Sequence, residues 1–166
     1  MKKKTYEFIA KIMEEEKHIA LLNICFKNSD YFSLTINYDD KDDIKIDKLR
    51  ECIKEMEQWK LSDFETHHWH CFYVTLRKPL NIFVFKSNKN TQQIILKYFH
   101  NIFLDSLHSG DICFFYRNEI ILGTVSHEHI CNLYPTTQKM LEEFLEWGDW
   151  QETDFLFEEF IKLQVE

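Results

Sequence analysis

Residues 112–126, ICFFYRNEIILGTVS, decide the fold class. Two apolar runs, Ile112 to Tyr116 and Glu119 to Ser126, flank the dipeptide Arg117-Asn118. Asn tolerates positive φ, so a two-residue connection between β-rich runs reads as a hairpin, although Arg-Asn is a weaker turn signal than Asn-Gly. Gly110 lies just upstream and suits the end of a preceding helix. Downstream, His129 to Tyr134 adds a third strand before Pro135.

Outward from that hairpin the chain alternates helical and extended patterns. Residues 91–107 place Ile94, Ile95, Tyr98, Phe99, Ile102 and Phe103 at spacings of three and four, with Thr91 as cap. A second strand pair spans His68 to Arg77 and Leu80 to Lys86, broken by Pro79. Residues 47–59 put Leu49, Cys52, Ile53 and Met56 on one helical face, capped by Asp47. The apolar run Ile19 to Phe26 and the alternating run Tyr31 to Tyr38 flank the turn chemistry of Lys27-Asn28-Ser29-Asp30, a further hairpin. Residues 4–17 carry Phe8, Ile9, Ile12 and Met13 as a helical stripe. Two helices close the chain, about 137–147, stopped by Gly148, and about 153–164.

The expected order is α-ββ-α-ββ-α-βββ-αα. Neighbouring strands joined by short turns pair antiparallel, so the class is α+β, with helices packed on one face of the sheet. A length of 166 residues, 45% of them hydrophobic and 15 of them Phe, suits one globular domain over 1–166 with a full core. Three scattered glycines, Gly110, Gly123 and Gly148, leave neither a flexible linker nor a phosphate-cradling loop. The basic start Lys2-Lys3-Lys4 runs into Glu7, Lys11 and Glu14 rather than an apolar stretch, so no secretory signal is expected. No stretch approaches the roughly 18 apolar residues of a membrane span. Cys25, Cys52, Cys71, Cys113 and Cys131 are odd in number, scattered and mostly set in apolar runs. They read as reduced, buried thiols of a cytoplasmic protein.

The net charge of −8 has one origin. Residues 1–140 balance; residues 141–166 hold nine acids against Lys162 alone. This acidic C-terminal segment, 137–166, is read as helical. Within it Glu142 and Glu143 each face Glu146 at helical spacing, like-charge pairs that disfavour the helix. Trp147 and Trp150 stand among Glu142, Glu143, Glu146 and Asp149. Aromatic anchors with an acidic rim form a plausible face for a basic protein partner. The alternative is that both indoles belong to the core and the acids are a solvated surface. Direct nucleic-acid binding is not expected, because Arg50, Arg77 and Arg117 are the only arginines and no basic stripe exists.

Four of eight histidines form H-x-H pairs, His68-Trp69-His70 and His127-Glu128-His129. On strands, i and i+2 share a face, so two such pairs could supply ligands to Zn²⁺ or Fe²⁺. Against that, the first pair runs on into Phe72 and Val74, and the second sits where a turn fits equally well; no metal ligand is assigned. Ser126-His127-Glu128 is no triad, since adjacent residues face opposite ways, and Cys131 near His129 reads as an inert core thiol. In size, charge and class the chain resembles small acidic bacterial immunity proteins and antitoxins, which implies a non-enzymatic module that neutralises a basic-surfaced protein, with no cofactor. The other readings are a metal-binding protein or metal-dependent enzyme, and a scaffold that self-associates through its tryptophans.

Overall fold

Arg117 and Asn118 turn the chain with φ of 49° and 64°, both left-handed, which gives the hairpin twist that matches its strands. The computed structural model describes residues 4–9, 14–38, 43–70, 72–73, 78–103 and 109–153. In chain order these form β1 (Thr5–Phe8), α1 (Glu15–Asn28), β2 (Tyr31–Asn37), α2 (Asp43–Glu55), β3 (Lys60–Thr66), β4 (His68–Trp69) and β5 (Phe72–Tyr73). There follow β6 (Leu80–Lys86), α3 (Lys89–Tyr98), β7 (Gly110–Tyr116), β8 (Glu119–Val125), β9 (Ile130–Leu133), α4 (Gln138–Leu145) and β10 (Trp150–Thr153). Among the described residues eight strands make one sheet, ordered β10-β1-β9-β8-β7-β2-β6-β3, and β4 pairs with β5 alone. Every pairing is antiparallel. The fold is α+β, as the hairpin of residues 112–126 implies.

Strand alternation splits the sheet into two faces. On the first, Phe32, Leu34 and Ile36 of β2 join Phe85, Ile112 and Phe114 under Leu21, Leu22 and Cys25 of α1, Leu49 and Cys52 of α2, Ile95 of α3 and Phe144 of α4. All four helices of the described residues contribute to this one core. Phe26 meets Phe32 and Phe114 edge-on at 5.2 and 5.1 Å, pairs worth about 0.5–1.5 kcal/mol each beyond burial. His18 is buried in α1 and its Nε2 lies 3.1 Å from the Phe99 carbonyl. A carbonyl only accepts, so the proton sits on Nε2 and ties α1 to the end of α3. The second face holds a smaller cluster of Trp69, Leu80, Ile82, Val84, Cys113, Phe115, Ile120 and Tyr134.

Several elements differ from the sequence expectation. Residues 4–17 are not one helix: Thr5–Phe8 is a strand paired with β9 and β10, and the helix begins at Glu15. Ile19 to Phe26 is not a strand but the body of α1, whose buried His18, Leu21, Leu22 and Cys25 recur at helical spacing. A short apolar run fits a buried helix as well as a strand, and here it packs between the sheet, α3 and α4. Asp47 is interior to α2, beside Arg50, because that helix starts at Asp43. Thr91 is not the cap of α3; Asn88 is, with its side chain accepting from the Thr91 N–H and Thr91 Oγ1 accepting from the Asn88 N–H. The helix stops at Tyr98 rather than 107, where Asn101 Oδ1 takes the Phe103 N–H and offers the backbone a local alternative. Lys60–Thr66 forms β3, an edge strand that sequence periodicity does not mark. The run His68 to Arg77 is described only as the two-residue strands β4 and β5 and the link at His70. The acidic segment is helical only over α4, since Trp150–Thr153 is a strand; the helix expected at about 153–164 lies, past Thr153, outside the described residues.

Candidate functional site

The acidic end of the molecule is built on α4. Thr137 caps it, with Oγ1 accepting the Met140 N–H at 3.1 Å, a contact worth about 1 kcal/mol. Met140, Leu141 and Phe144 turn into the core, which leaves Gln138, Lys139, Glu142, Leu145 and Glu146 facing out, with Gln138 Nε2 donating to Glu142 Oε1 at 3.2 Å. Gly148 follows with φ 102°, and a Cβ there would run into the Phe8 ring, so the chain can reverse tightly into β10 only with glycine. The reversal brings Trp150 against Phe8 at 5.2 Å and Phe144 at 5.8 Å, both edge-on. Its indole N–H donates to the Phe144 carbonyl at 3.0 Å and to that of Trp147 at 3.2 Å. Trp150 thus closes the C-terminal end of α4, adding a donor to a Phe144 carbonyl that also takes the Trp147 N–H at 3.0 Å. Trp147 is half-buried against the same core.

The six residues singled out from sequence fall into three groups. Glu142, Glu146 and Asp149 are exposed, and among the described residues none forms an ion pair. Glu143 points the other way: it accepts from Lys27 Nζ at 2.9 Å and Asn28 Nδ2 at 3.4 Å, and the Lys27 ammonium holds its carboxyl below the usual range. Trp147 and Trp150 are half-buried, neither sealed in nor free. Both are joined to the fold, and Trp150 has its polar handle engaged. The exposed acids of this end are therefore Glu142, Glu146 and Asp149, with Trp147 next to Glu146 in sequence.

No family model, curated protein or solved structure matches the chain.

The histidine pairs occupy different local settings. His70 packs on Gly123 of β8, with Nε2 3.1 Å from the Tyr134 hydroxyl, on the second face. His127 lies in a short 3-10 turn, Ser126–Glu128, and His129 is left-handed at φ 55°, so these two do not share a strand face. The half-buried His129 ring meets Phe103, a residue of the helix-covered core, edge-on at 5.4 Å. His68 sits on β4 opposite Tyr73. Among the described residues no three His, Cys, Asp or Glu side chains gather as metal ligands. Cys25, Cys52, Cys113 and Cys131 are buried free thiols, while Cys71 lies outside the described residues. Burial drives the Cys131 thiol well above its ordinary value and that of Cys52 up to about 12, the opposite of an activated nucleophile. Among the described residues no helix is long and apolar enough to cross a membrane.

Two residues near the acids escape sequence reasoning. Ile9, placed on a buried stripe by the 4–17 pattern, is 54% exposed, and its N–H donates to the Asp149 carbonyl at 2.9 Å. Leu145 is 45% exposed on the outward side of α4. An apolar residue off the main helical stripe is the sequence signal for Leu145; Ile9 has none, because its exposure depends on β1 being a strand.

Proposed function

We propose that this chain is a non-enzymatic protein-binding module of the inhibitor, immunity or antitoxin type, which neutralises a partner with a basic surface. One observation carries the reading: Glu142, Glu146 and Asp149 stand exposed close in sequence to the half-buried Trp147, and among the described residues none of the three forms an ion pair, Lys139 being the one cation on the same helix. Three carboxylates outside ion pairs outnumber the single Lys139 there, and such a surplus attracts a cationic surface from a distance and speeds encounter. The half-buried Trp147 then offers apolar area that dehydrates on contact. The same field repels phosphate backbones, which argues against direct nucleic-acid binding. Buried thiols, unbridged among the described residues, fit a reducing, cytoplasmic setting. The metal-binding alternative draws less support, since among the described residues no three His, Cys, Asp or Glu side chains gather as metal ligands.

The test captures partners on the tagged full chain in its native cell and measures association by stopped flow. E142Q/E146Q/D149N is expected to associate more slowly than wild type at low salt and to converge with it at high salt. Identical rates for the two proteins at low salt overturn the proposal.

A further inference from the structure

β4 and β5 lie against the second face of the sheet without joining it. They pair with each other, and among the described residues neither strand hydrogen-bonds into the eight-stranded sheet. The Thr66 hydroxyl donates to the His68 carbonyl at 3.0 Å and accepts the His68 N–H at 3.3 Å, a local turn that hangs the pair from the end of edge strand β3. Side chains then press it onto the sheet. The Trp69 ring meets Phe64 at 5.5 Å and Phe115 at 5.9 Å, and His70 lies over Gly123 with Nε2 3.1 Å from the Tyr134 hydroxyl.

Both of these side chains hold a polar group that closure keeps from water. The Trp69 indole N–H is buried without an acceptor, a cost that hydration would remove. His70 is buried, and desolvation depresses it from 6.5 to about 4, opposed by the Thr124 carbonyl, which favours the charged form. The groups around the ring are that carbonyl of β8, the Tyr134 hydroxyl after β9 and, beside Gly123, the Cys113 thiol of β7; no carboxylate figures among those that shift it. Closed, the pair of strands keeps the imidazole neutral. Open, it returns the ring to water, where a proton binds near pH 6.5, so acid favours the open form.

We infer that β4 and β5 form an acid-released strap, which leaves the second face of the sheet when His70 takes up a proton while the helix-covered core stays folded. Cys113 reports the event. It is fully buried, is the register partner of Gly123 and packs in the same cluster as Trp69. Cys25 and Cys131 belong to the helix-covered core and serve as internal controls. The inference does not depend on the acidic end or on any partner.

In the test, the full chain is treated with N-ethylmaleimide at two pH values, one above and one below the ordinary histidine range. Initial labelling of each cysteine is read by peptide mass spectrometry and divided by that of the urea-unfolded chain at the same pH, which cancels thiol ionisation. Over about two pH units centred on 6.5, the normalised rate at Cys113 is expected to rise about tenfold on acidification. Cys25 and Cys131 should stay protected. In His70→Gln, uncharged throughout, the rise should vanish whatever the basal rate. Cys113 as protected as Cys25 and Cys131 at the lower pH, or a rise that survives in His70→Gln, overturns the inference.

Discussion

The His70 ring lies flat over the bare backbone of Gly123, close enough that a Cβ on Gly123 would come within 2.5 Å of the imidazole. Gly123 has no unusual φ, so its lack of a side chain serves packing rather than conformation. On the same face it lies level with Cys113 of β7 and Asn132 of β9, a row of small and polar residues that leaves room for the ring. Gly123→Ala must push His70 away from Tyr134 or bend β8. A loss of about 1–3 kcal/mol in urea unfolding is expected, the range for overpacking a filled site. In a His70→Ala background most of that penalty should vanish, because the obstructing ring is gone. A double-mutant cycle that shows additive effects would place the strain elsewhere.

Burial at this site also sets a pH dependence. His70 is depressed from 6.5 to about 4, chiefly by desolvation, so the folded chain keeps it neutral where the unfolded chain binds a proton. The associated stability is present in full above pH 6.5 and is lost as pH falls toward 4, a total of roughly 3 kcal/mol. Urea midpoints at pH 7, 5.5 and 4.5 should therefore decline more steeply for wild type than for His70→Gln. Carboxylates that titrate in the same window contribute equally to both proteins, so the difference in slope isolates the imidazole.

What the sequence discloses and what it hides follow from the range of the interactions. The hairpin at 112–126 is legible because its turn and its strands are neighbours in the chain. The capped helix α4 is legible because Thr137 and the Met140, Leu141, Phe144 stripe are local signals. Helix α1 is misread as a strand because its exposed side within the run holds Ile19 as well as Asn23, which leaves Asn23 as the one polar residue from Ile19 to Phe26 and hides the helical period. Strand β3 is missed because an edge strand has alternate residues in solvent and here spells them Leu61, Asp63 and Glu65. At the candidate face, the cluster of acids is legible from composition, but the diversion of Glu143 to Lys27 is not, since those residues are 116 positions apart. Pairings of that separation are fixed by the packing of α1 on α4, not by local pattern.

Trp150 separates structural from binding roles among the tryptophans. Its N–H serves two carbonyls at the end of α4, and its ring braces Phe8 and Phe144. Trp150→Phe keeps much of the ring contact and removes only the donor. A loss of about 1–2 kcal/mol is expected, with faster amide exchange in the last turn of α4. Trp147→Phe removes no hydrogen bond of the indole and should change stability less. A variant pair ranked the other way would mean that Trp147, not Trp150, holds the end of the helix.

The acids themselves predict an opposition between stability and binding. Glu142 and Glu146 are like charges one helical turn apart, and Glu146 occupies the C-terminal cap of α4, where the helix dipole disfavours an anion. The first opposes the helix by about 0.2–0.5 kcal/mol and the second by about 0.3–1 kcal/mol. Replacing both with Gln relieves them and leaves the buried side of α4 untouched, so E142Q/E146Q should melt slightly above wild type at low salt. The gap should close in high salt, where repulsion between exposed charges is screened. The same substitutions are expected to slow partner association, so one change would strengthen the fold and weaken the contact. Residues held against the preference of their own helix are better explained by what they meet outside it. A double variant that melts below wild type would assign these glutamates a structural role instead.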